Sequence, residues 1–448
     1  TAHDINLALQ SDKVFAKDLA ARLIEKNGLD AVITLFPENF SNLKIDAMSP
    51  EQLRERLDAR PSPVREVRLL DITASYHQIL NKVEKEMAET IRSGHFILGP
   101  KVSQLEERIA EYCQSKYGVG VSSGTDALLI ALMALGIGPG DEVIVPSVTF
   151  VATANIVIHN KMNPIFVDVE IETYNIDPKL IEDKITKKTR AIIPVHLLGL
   201  PADMNPILDI AKKYNLKIIE DCAQSPGAIY NDKLVGTIGD IGIFSFNQSK
   251  TISAGEGGVA ITNNDKYALR MQLMRNHAEA MIESFPEAEM PNLIGYNYRI
   301  TDLEAAVAVE QFKRLNDFNN KKIKLANQLT KNLLQLKGLV PIPIISKNEN
   351  VLFIYPLIFD KKYFKISRRD FVQACVSEGV PMVQGYTAPL TDLQIFQSYI
   401  KKSESFPIAE KLNEEKLITL KVCHHMNVST DDINLISDAI KKVYDYYK

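Results

Sequence analysis

From Val119 onward, short apolar runs alternate with longer stretches in which apolar residues recur every three to four positions. The runs at 119–121, 142–146, 164–169, 191–195, 217–220 and 241–246 predict buried strands. The intervening stretches 126–136 and 203–214 have helical spacing. Such β-α-β alternation predicts an α/β fold, with a parallel or mostly parallel sheet covered by helices. Ligands on these sheets bind beyond the carboxyl ends of the strands. Residues just after each strand are therefore the place to look for chemistry.

The flanks read differently. Residues 301–337 are strongly helical and lead to a smaller region with strand-like 340–345 and 350–358, a helix over 367–379, and a last helix opening at Ser429 or Thr430. At the other end, 4–26 fits one or two amphipathic helices. Ser49-Pro50-Glu51-Gln52 signals another helix start, and Arg60-Pro61-Ser62-Pro63 reads as a linker. The expected organisation is a helical N-terminal extension (1–64), a large domain (65–320) and a small α+β C-terminal domain (321–448).

Composition narrows the class. The 448 residues suffice for a sizeable core, and 46% hydrophobic with 24% charged residues is ordinary for a globular protein. A net charge of −4 with interspersed signs gives no footprint for nucleic acid or an anionic membrane. No apolar run approaches the ~20 residues of a membrane span, and no leader pattern opens the chain. Cys113, Cys222, Cys375 and Cys423 stand far apart without C-x-x-C spacing, which fits reduced thiols in a cytoplasmic protein. His424-His425 lacks further spaced ligands, so no metal is expected.

Four strand-end positions carry complementary chemistry. Ser123-Gly124-Thr125-Asp126 opens a helix whose N-terminal N–H groups favour a phosphate; Gly124 permits close approach and Thr125 adds a hydroxyl. Phe150 follows the second strand and could lie flat against a ring. Asp221 follows 217–220, with Gln224 nearby, and a carboxylate in a dry crevice needs a partner such as a pyridinium N–H. Ser245 and Lys250 follow 241–246, and a lone lysine on a loop between buried strands suits Schiff-base chemistry. Each has a plainer reading alone: a helix cap, a core aromatic, a structural ion pair, a surface lysine. Together they match the four handles of pyridoxal 5′-phosphate: phosphate, ring face, ring nitrogen and aldehyde.

Further motifs run in order from Gly99-Pro100 through Gly138-Pro139-Gly140-Asp141-Glu142-Val143, Pro146-Ser147-Val148-Thr149-Phe150 and Pro194-Val195-His196-Leu197-Leu198-Gly199. They continue with Glu220-Asp221-Cys222-Ala223-Gln224-Ser225, Gly255-Glu256-Gly257-Gly258 and Gly295-Tyr296-Asn297-Tyr298-Arg299. With these, residues 94–299 strongly resemble the sugar aminotransferase (DegT/StrS) family of fold type I pyridoxal-phosphate enzymes, and a weaker match extends to the C-terminus. The resemblance implies a large domain with a seven-stranded, mostly parallel sheet between helices. It implies that Lys250 is the Schiff-base lysine and proton shuttle, that Asp221 pairs with the ring nitrogen, and that Gln224 lies at the ring hydroxyl. Phe150 is expected to stack on the ring, and Gly124, Thr125 and Ser245 to hold the phosphate. Asn297 is expected to reach the phosphate of a partner subunit in a homodimer with shared sites, with Arg299 close by. Arg299 and Tyr386 are assigned to substrate, and His196 to a structural role beside the pocket.

Family members that act as sugar dehydratases carry histidine in place of this lysine, so Lys250 points to transamination. The implied reaction moves an amino group from an amino acid, most often glutamate, to a keto-sugar, usually nucleotide-linked, by a ping-pong mechanism. The C-terminal half departs from the family: where His-Tyr-x-Pro-Leu-His is common, Gly385-Tyr386-Thr387-Ala388-Pro389-Leu390-Thr391 lacks both histidines. A free or phosphorylated keto-sugar or a keto-cyclitol therefore remains open as acceptor. The alternatives are another pyridoxal-phosphate reaction, such as elimination or dehydration, and a regulatory homologue without turnover.

Overall fold

The structure, a computed structural model, describes residues 76–278, 293–341, 348–420 and 428–448. The readings made for residues 1–64, Cys423, His424 and His425 lie outside these.

Two helices, α1 (Leu80–Ser93) and α2 (Pro100–Cys113), precede the first strand. Pro100 suits the first position of α2, and the buried Asp302 carboxylate accepts the Gly99 and Lys101 N–H groups at 2.8 Å each, capping the helix from a distant part of the chain. Then come β1 (Tyr117–Val121), α3 (Gly124–Ala134), β2 (Glu142–Pro146), α4 (Ala152–His159), β3 (Asn163–Val167), β4 (Thr189–Ile192), α5 (Met204–Tyr214) and β5 (Lys217–Asp221). A tight hairpin of β6 (Ile229–Tyr230) and β7 (Lys233–Leu234) turns on Asn231 and Asp232, both at positive φ. β8 (Ile241–Ser245), β9 (Gly258–Thr262) and α6 (Asp265–Arg275) follow.

Seven strands form one sheet in the order β1-β9-β8-β5-β4-β2-β3. β8, β5, β4, β2 and β3 run parallel, and only β9 is antiparallel to its neighbours β1 and β8. The mostly parallel sheet expected from the sequence is present. Its strands are buried on both faces: Val143, Val145, Ala191 and Ile219 pack into one apolar layer, while Ile144, Ile192 and Ile218 pack into the other. That is why these strands read as continuous apolar runs instead of alternating ones. α3 is apolar nearly all round because it packs on β8 and β9 and is flanked by α4 and α6.

Beyond α7 (Asp302–Phe312) and α8 (Leu315–Leu333), a second sheet orders β10 (Leu339–Pro341), β11 (Tyr355–Phe359), β13 (Leu417–Leu420) and β12 (Met382–Gln384), antiparallel throughout. α9 (Arg368–Ser377) and α11 (Thr430–Tyr447) cover it, α11 opening with the capping box Ser429–Asp432. Asp168, just past β3, accepts the Ile408 and Ala409 N–H groups at 2.8 and 2.9 Å and so seats the start of α10 (Pro407–Lys411) against the first sheet.

Two details differ from the sequence reading. The helix expected over 301–337 is two helices, because a tight turn at Lys313 and Arg314 closes α7 before α8 begins. The strand expected over 350–358 begins only at Tyr355. The Val351 and Phe353 N–H groups are given instead to Gly199 and Leu198 carbonyls, which leaves 350–354 an extended strap. Of the strand expected over 340–345, the structure describes β10 alone. Among the described residues, no helix is long and apolar enough to cross a membrane.

Candidate active site

A cavity of about 500 Å³ opens at the carboxyl ends of β1, β2, β5 and β8, where a parallel sheet binds its ligands. Gly124, Thr125, Phe150, Asp221, Gln224, Ser245, Lys250 and Tyr386, all singled out from the sequence, line it.

The phosphate end is built on the start of α3. Ser123 caps the helix, accepting the Asp126 N–H at 3.0 Å, and leaves the first N–H groups facing the cavity mouth. A Cβ on Gly124 would lie 2.7 Å from Ser245 Cβ and 3.1 Å from its Oγ. The close approach of the two elements requires glycine there, and it puts the Ser245 hydroxyl beside the helix terminus. The result is an anion cradle of backbone N–H groups and two hydroxyls, with Thr125 supplying the second.

The far end is a buried carboxylate. Asp221 Oδ2 accepts the Thr153 hydroxyl at 3.0 Å, and Oδ1 accepts the Ala223 N–H at 3.1 Å. Burial pushes its pKa up, opposed by these two hydrogen bonds and by the charge of Lys250. Lys250 sits on the loop joining the antiparallel neighbours β8 and β9. Its backbone N–H is fixed by the Asn247 carbonyl at 2.8 Å, and Asn247 also binds the hydroxyl of Ser249 and the carboxylate of Glu256. Burial pulls the lysine pKa below its ordinary value, with Asp221 opposing. A lysine so placed holds a larger fraction of neutral, nucleophilic amine than one in water.

Between the two ends, Phe150 is 57% exposed, an unusual surface for a ring unless something flat covers it. Gln224 is fixed in orientation. Its Oε1 accepts the Leu198 N–H at 2.9 Å, so Nε2 faces outward and donates to the Tyr386 hydroxyl at 2.8 Å. Burial raises the Tyr386 pKa to about 12, so the phenol stays protonated and is itself a donor to whatever enters.

His196 lies outside the lining, wholly buried. Ala202 N–H donates to its Nδ1 at 3.0 Å, so Nε2 carries the hydrogen and donates to Glu220 Oε2 at 3.0 Å. Glu220 also accepts three N–H groups, from Gly236, Ile238 and Gly239. Cys222 completes a cluster close enough to hold a metal, but the histidine nitrogens and the carboxylate are already committed to these bonds. Asn297 and Arg299 are not among the lining residues. Asn297 is exposed, and Arg299 donates to Asn276 at 2.6 Å.

The site also holds residues that the sequence reading passed over. Thr153 lies one helical turn beyond Thr149, in the first turn of α4, and its hydroxyl lies 3.4 Å from that of Thr149. Phe353 and Thr419 come from the C-terminal half, without a local signature.

The profile of the DegT/DnrJ/EryC1/StrS aminotransferase family matches residues 77–441. The chain belongs to that family. A pleiotropic regulatory protein of Geobacillus stearothermophilus is 38% identical over 353 residues, covering 78% of this chain and 92% of that one. The dTDP-3-amino-3,6-dideoxy-alpha-D-galactopyranose transaminase of Aneurinibacillus thermoaerophilus is 34% identical over 375 residues, covering 83% and 98%. Among solved structures, the PLP form of Spr1654 from Streptococcus pneumoniae superimposes with a TM-score of 0.73 at 25% identity, covering 82% of this chain and 96% of that one.

This aminotransferase has the fold type I architecture, and its cofactor is pyridoxal 5′-phosphate. The residues fit that group part by part. The cradle that a Gly124 side chain would fill suits a phosphate, and the uncovered Phe150 face suits a planar ring. The buried Asp221 lacks a cationic hydrogen-bond partner among the described residues, and the half-buried Lys250 amine is close enough to feel its charge.

Proposed function

We propose that this aminotransferase transfers an amino group from an amino acid, L-glutamate, to the carbonyl carbon of a nucleotide-linked keto-sugar. In the ping-pong order, the donor's keto product leaves before the sugar enters. The observation that carries the reading is Lys250, a half-buried amine of lowered pKa in the wall of the cavity that also holds an anion cradle. Bound pyridoxal 5′-phosphate supplies the electron sink for breaking and making C–N and C–H bonds.

The chain's own residues supply the rest. Gly124, Thr125 and Ser245 anchor the phosphate, Phe150 holds the ring plane, and Gln224 lies at the ring hydroxyl. Asp221 keeps a proton at the ring nitrogen. Lys250 attaches the cofactor and, once released, carries a proton to and from the substrate's reacting carbon. The Aneurinibacillus relative's sugar nucleotide supports the acceptor class. So do the hydroxyl and amide groups of Thr149, Asn247, Ser249, Tyr386 and Thr419, which give the cavity many partners for a polyhydroxylated ring.

We further propose a homodimer in which Asn297 and Arg299 complete the partner's site. Asn297 is exposed outside the cavity. Consecutive Phe96, Ile97 and Leu98 are 43%, 52% and 39% exposed, an apolar stretch suited to a second copy. The described cysteines are free and buried, which supports a reducing compartment such as the cytoplasm.

The test is a pair of half-reactions. Glutamate alone should bleach the visible absorption of the loaded enzyme and release 2-oxoglutarate stoichiometrically. Keto-sugar nucleotides, screened against free and phosphorylated keto-sugars, should then restore the absorption. A protein that binds the cofactor through Lys250 yet reacts with no amino acid would overturn transamination. The name of the Geobacillus relative favours a second reading, regulation without turnover, and that result would support it.

A further inference from the structure

The strap formed by residues 350–354 is held across the first sheet's loops at two points. Glu349 and Ile229 exchange backbone hydrogen bonds at 2.9 and 3.1 Å, while Val351 and Phe353 donate to Gly199 and Leu198 at 3.0 and 2.8 Å. The receiving turn is unusual. Leu198 is left-handed at φ 57°, as is Gly199 at φ 88°, and a Cβ on Gly199 would lie 2.6 Å from the backbone nitrogens of both Leu352 and Phe353. Two backbones in direct contact leave the strap little freedom. It delivers the Phe353 ring into the cavity wall, where Lys250 Nζ lies 4.9 Å from the ring centroid.

That ring face is where the amine rests. Lys250 makes no hydrogen bond or ion pair to any described residue, although Asp221 is near enough to influence it. An ammonium that is half-buried without a protein acceptor is costly, and an aromatic face offers it electrostatic compensation without a proton acceptor.

We propose that Phe353 is a positioning residue for Lys250. Its ring face holds the ammonium at the cavity wall whenever the lysine is not bonded to the cofactor. The inference rests on the reading of Lys250 as the cofactor's covalent anchor. It adds that the released lysine has a built resting place, supplied by the C-terminal half and oriented by the Leu198–Gly199 turn. No atoms are exchanged; the contact only weights one position and one charge state of the amine.

The test uses the full chain freed of cofactor. Acetic anhydride, in trace amounts across pH 7–11, acetylates each neutral amine, and mass spectrometry of the Lys250 peptide gives that residue's titration midpoint. Replacing Phe353 with 3,4,5-trifluorophenylalanine preserves shape and burial but removes most of the ring's attraction for a cation. The midpoint should fall by about 0.5–1 pH unit, so that acetylation of Lys250 near neutral pH rises about 3- to 10-fold. Phe353→Tyr, which keeps the face, should leave the midpoint within about 0.2 units of the parent. A midpoint that does not move in the fluorinated protein, or that rises, overturns the proposal. Labelling is read without cofactor, so a protein that shows the shift but never captures pyridoxal 5′-phosphate keeps this inference and loses the functional one.

Discussion

Thr153 donates its hydroxyl hydrogen to Asp221 across 3.0 Å, from the first turn of α4 to the end of β5. With the Ala223 N–H on the other oxygen, it favours the ionised carboxylate against the burial that disfavours it. Thr153→Val removes the donor while keeping the shape. A hydrogen bond to a charged group is worth about 1.5–3 kcal/mol, so the Asp221 pKa should rise further and its hold on the ring nitrogen should slacken. The glutamate half-reaction is expected to slow about 10- to 100-fold with little change in melting temperature. Stopped-flow absorbance checks it, and an unchanged rate would mean that Ala223 alone suffices.

Gly124→Ala tests the anion cradle. The added methyl would sit 2.7 Å from Ser245 Cβ, so α3 and the end of β8 must separate. Overpacking of this kind costs about 1–3 kcal/mol. Affinity for pyridoxal 5′-phosphate should drop about tenfold or more, read by fluorescence titration, and protection by inorganic phosphate in thermal melts should shrink in parallel. Retained affinity would place the phosphate elsewhere.

Tyr386→Phe removes a hydroxyl whose oxygen already receives a hydrogen from Gln224, leaving its own proton for a ligand. Cofactor affinity should stay within about twofold. The KM for the keto-sugar should rise about tenfold, the value of one hydrogen bond of about 1.4 kcal/mol. Steady-state kinetics separates the two, and a loss confined to cofactor binding would reassign the tyrosine.

The lysine leaves a mark on stability. Its pKa in the folded protein lies below the ordinary value near 10.5, so between those values the unfolded chain binds more protons and stability rises with pH. Below that window the full penalty for burying the cation applies. Cofactor-free Lys250→Met should therefore melt above the parent at pH 7–8, and the difference should close as pH climbs toward 10.5. Melting curves over that range decide it; a parent that melts higher at neutral pH would mean that Asp221 outweighs burial.

How much of this was legible depended on locality. β2 could be read almost residue by residue, since a strand buried on both faces leaves an apolar run, here Val143-Ile144-Val145 ended by Pro146; β5 was marked by the buried Ile218-Ile219 ahead of Asp221. Lys250, Asp221 and Gly124 could be placed near the sheet's carboxyl edge for a related reason: Asp221 ends β5, while Gly124 and Lys250 stand just beyond β1 and β8, where a charged or small residue interrupts the pattern. Phe353 left no such trace. Residues 350–354 look like the start of a strand, and only the distant Leu198–Gly199 turn, by taking two of their N–H groups, makes them a strap. Thr153 was invisible for a milder reason, because a threonine one turn into a helix reads as filler until its hydroxyl is seen to meet Asp221. The break at Lys313 and Arg314 was hidden too, since no glycine or proline marks it.

The cavity is walled by residues spread from Ser123 on the first βα turn to Thr419 on β13. A ribosome therefore releases the first sheet long before it releases the last wall, and the nascent chain spends that interval with Phe150 and the Lys250 amine bare. The cofactor's full grip becomes available only when nearly the whole polypeptide has emerged. A ligand that binds only the finished fold stabilises it by mass action, so bound cofactor is expected to hold the two sheets' contributions to the cavity together.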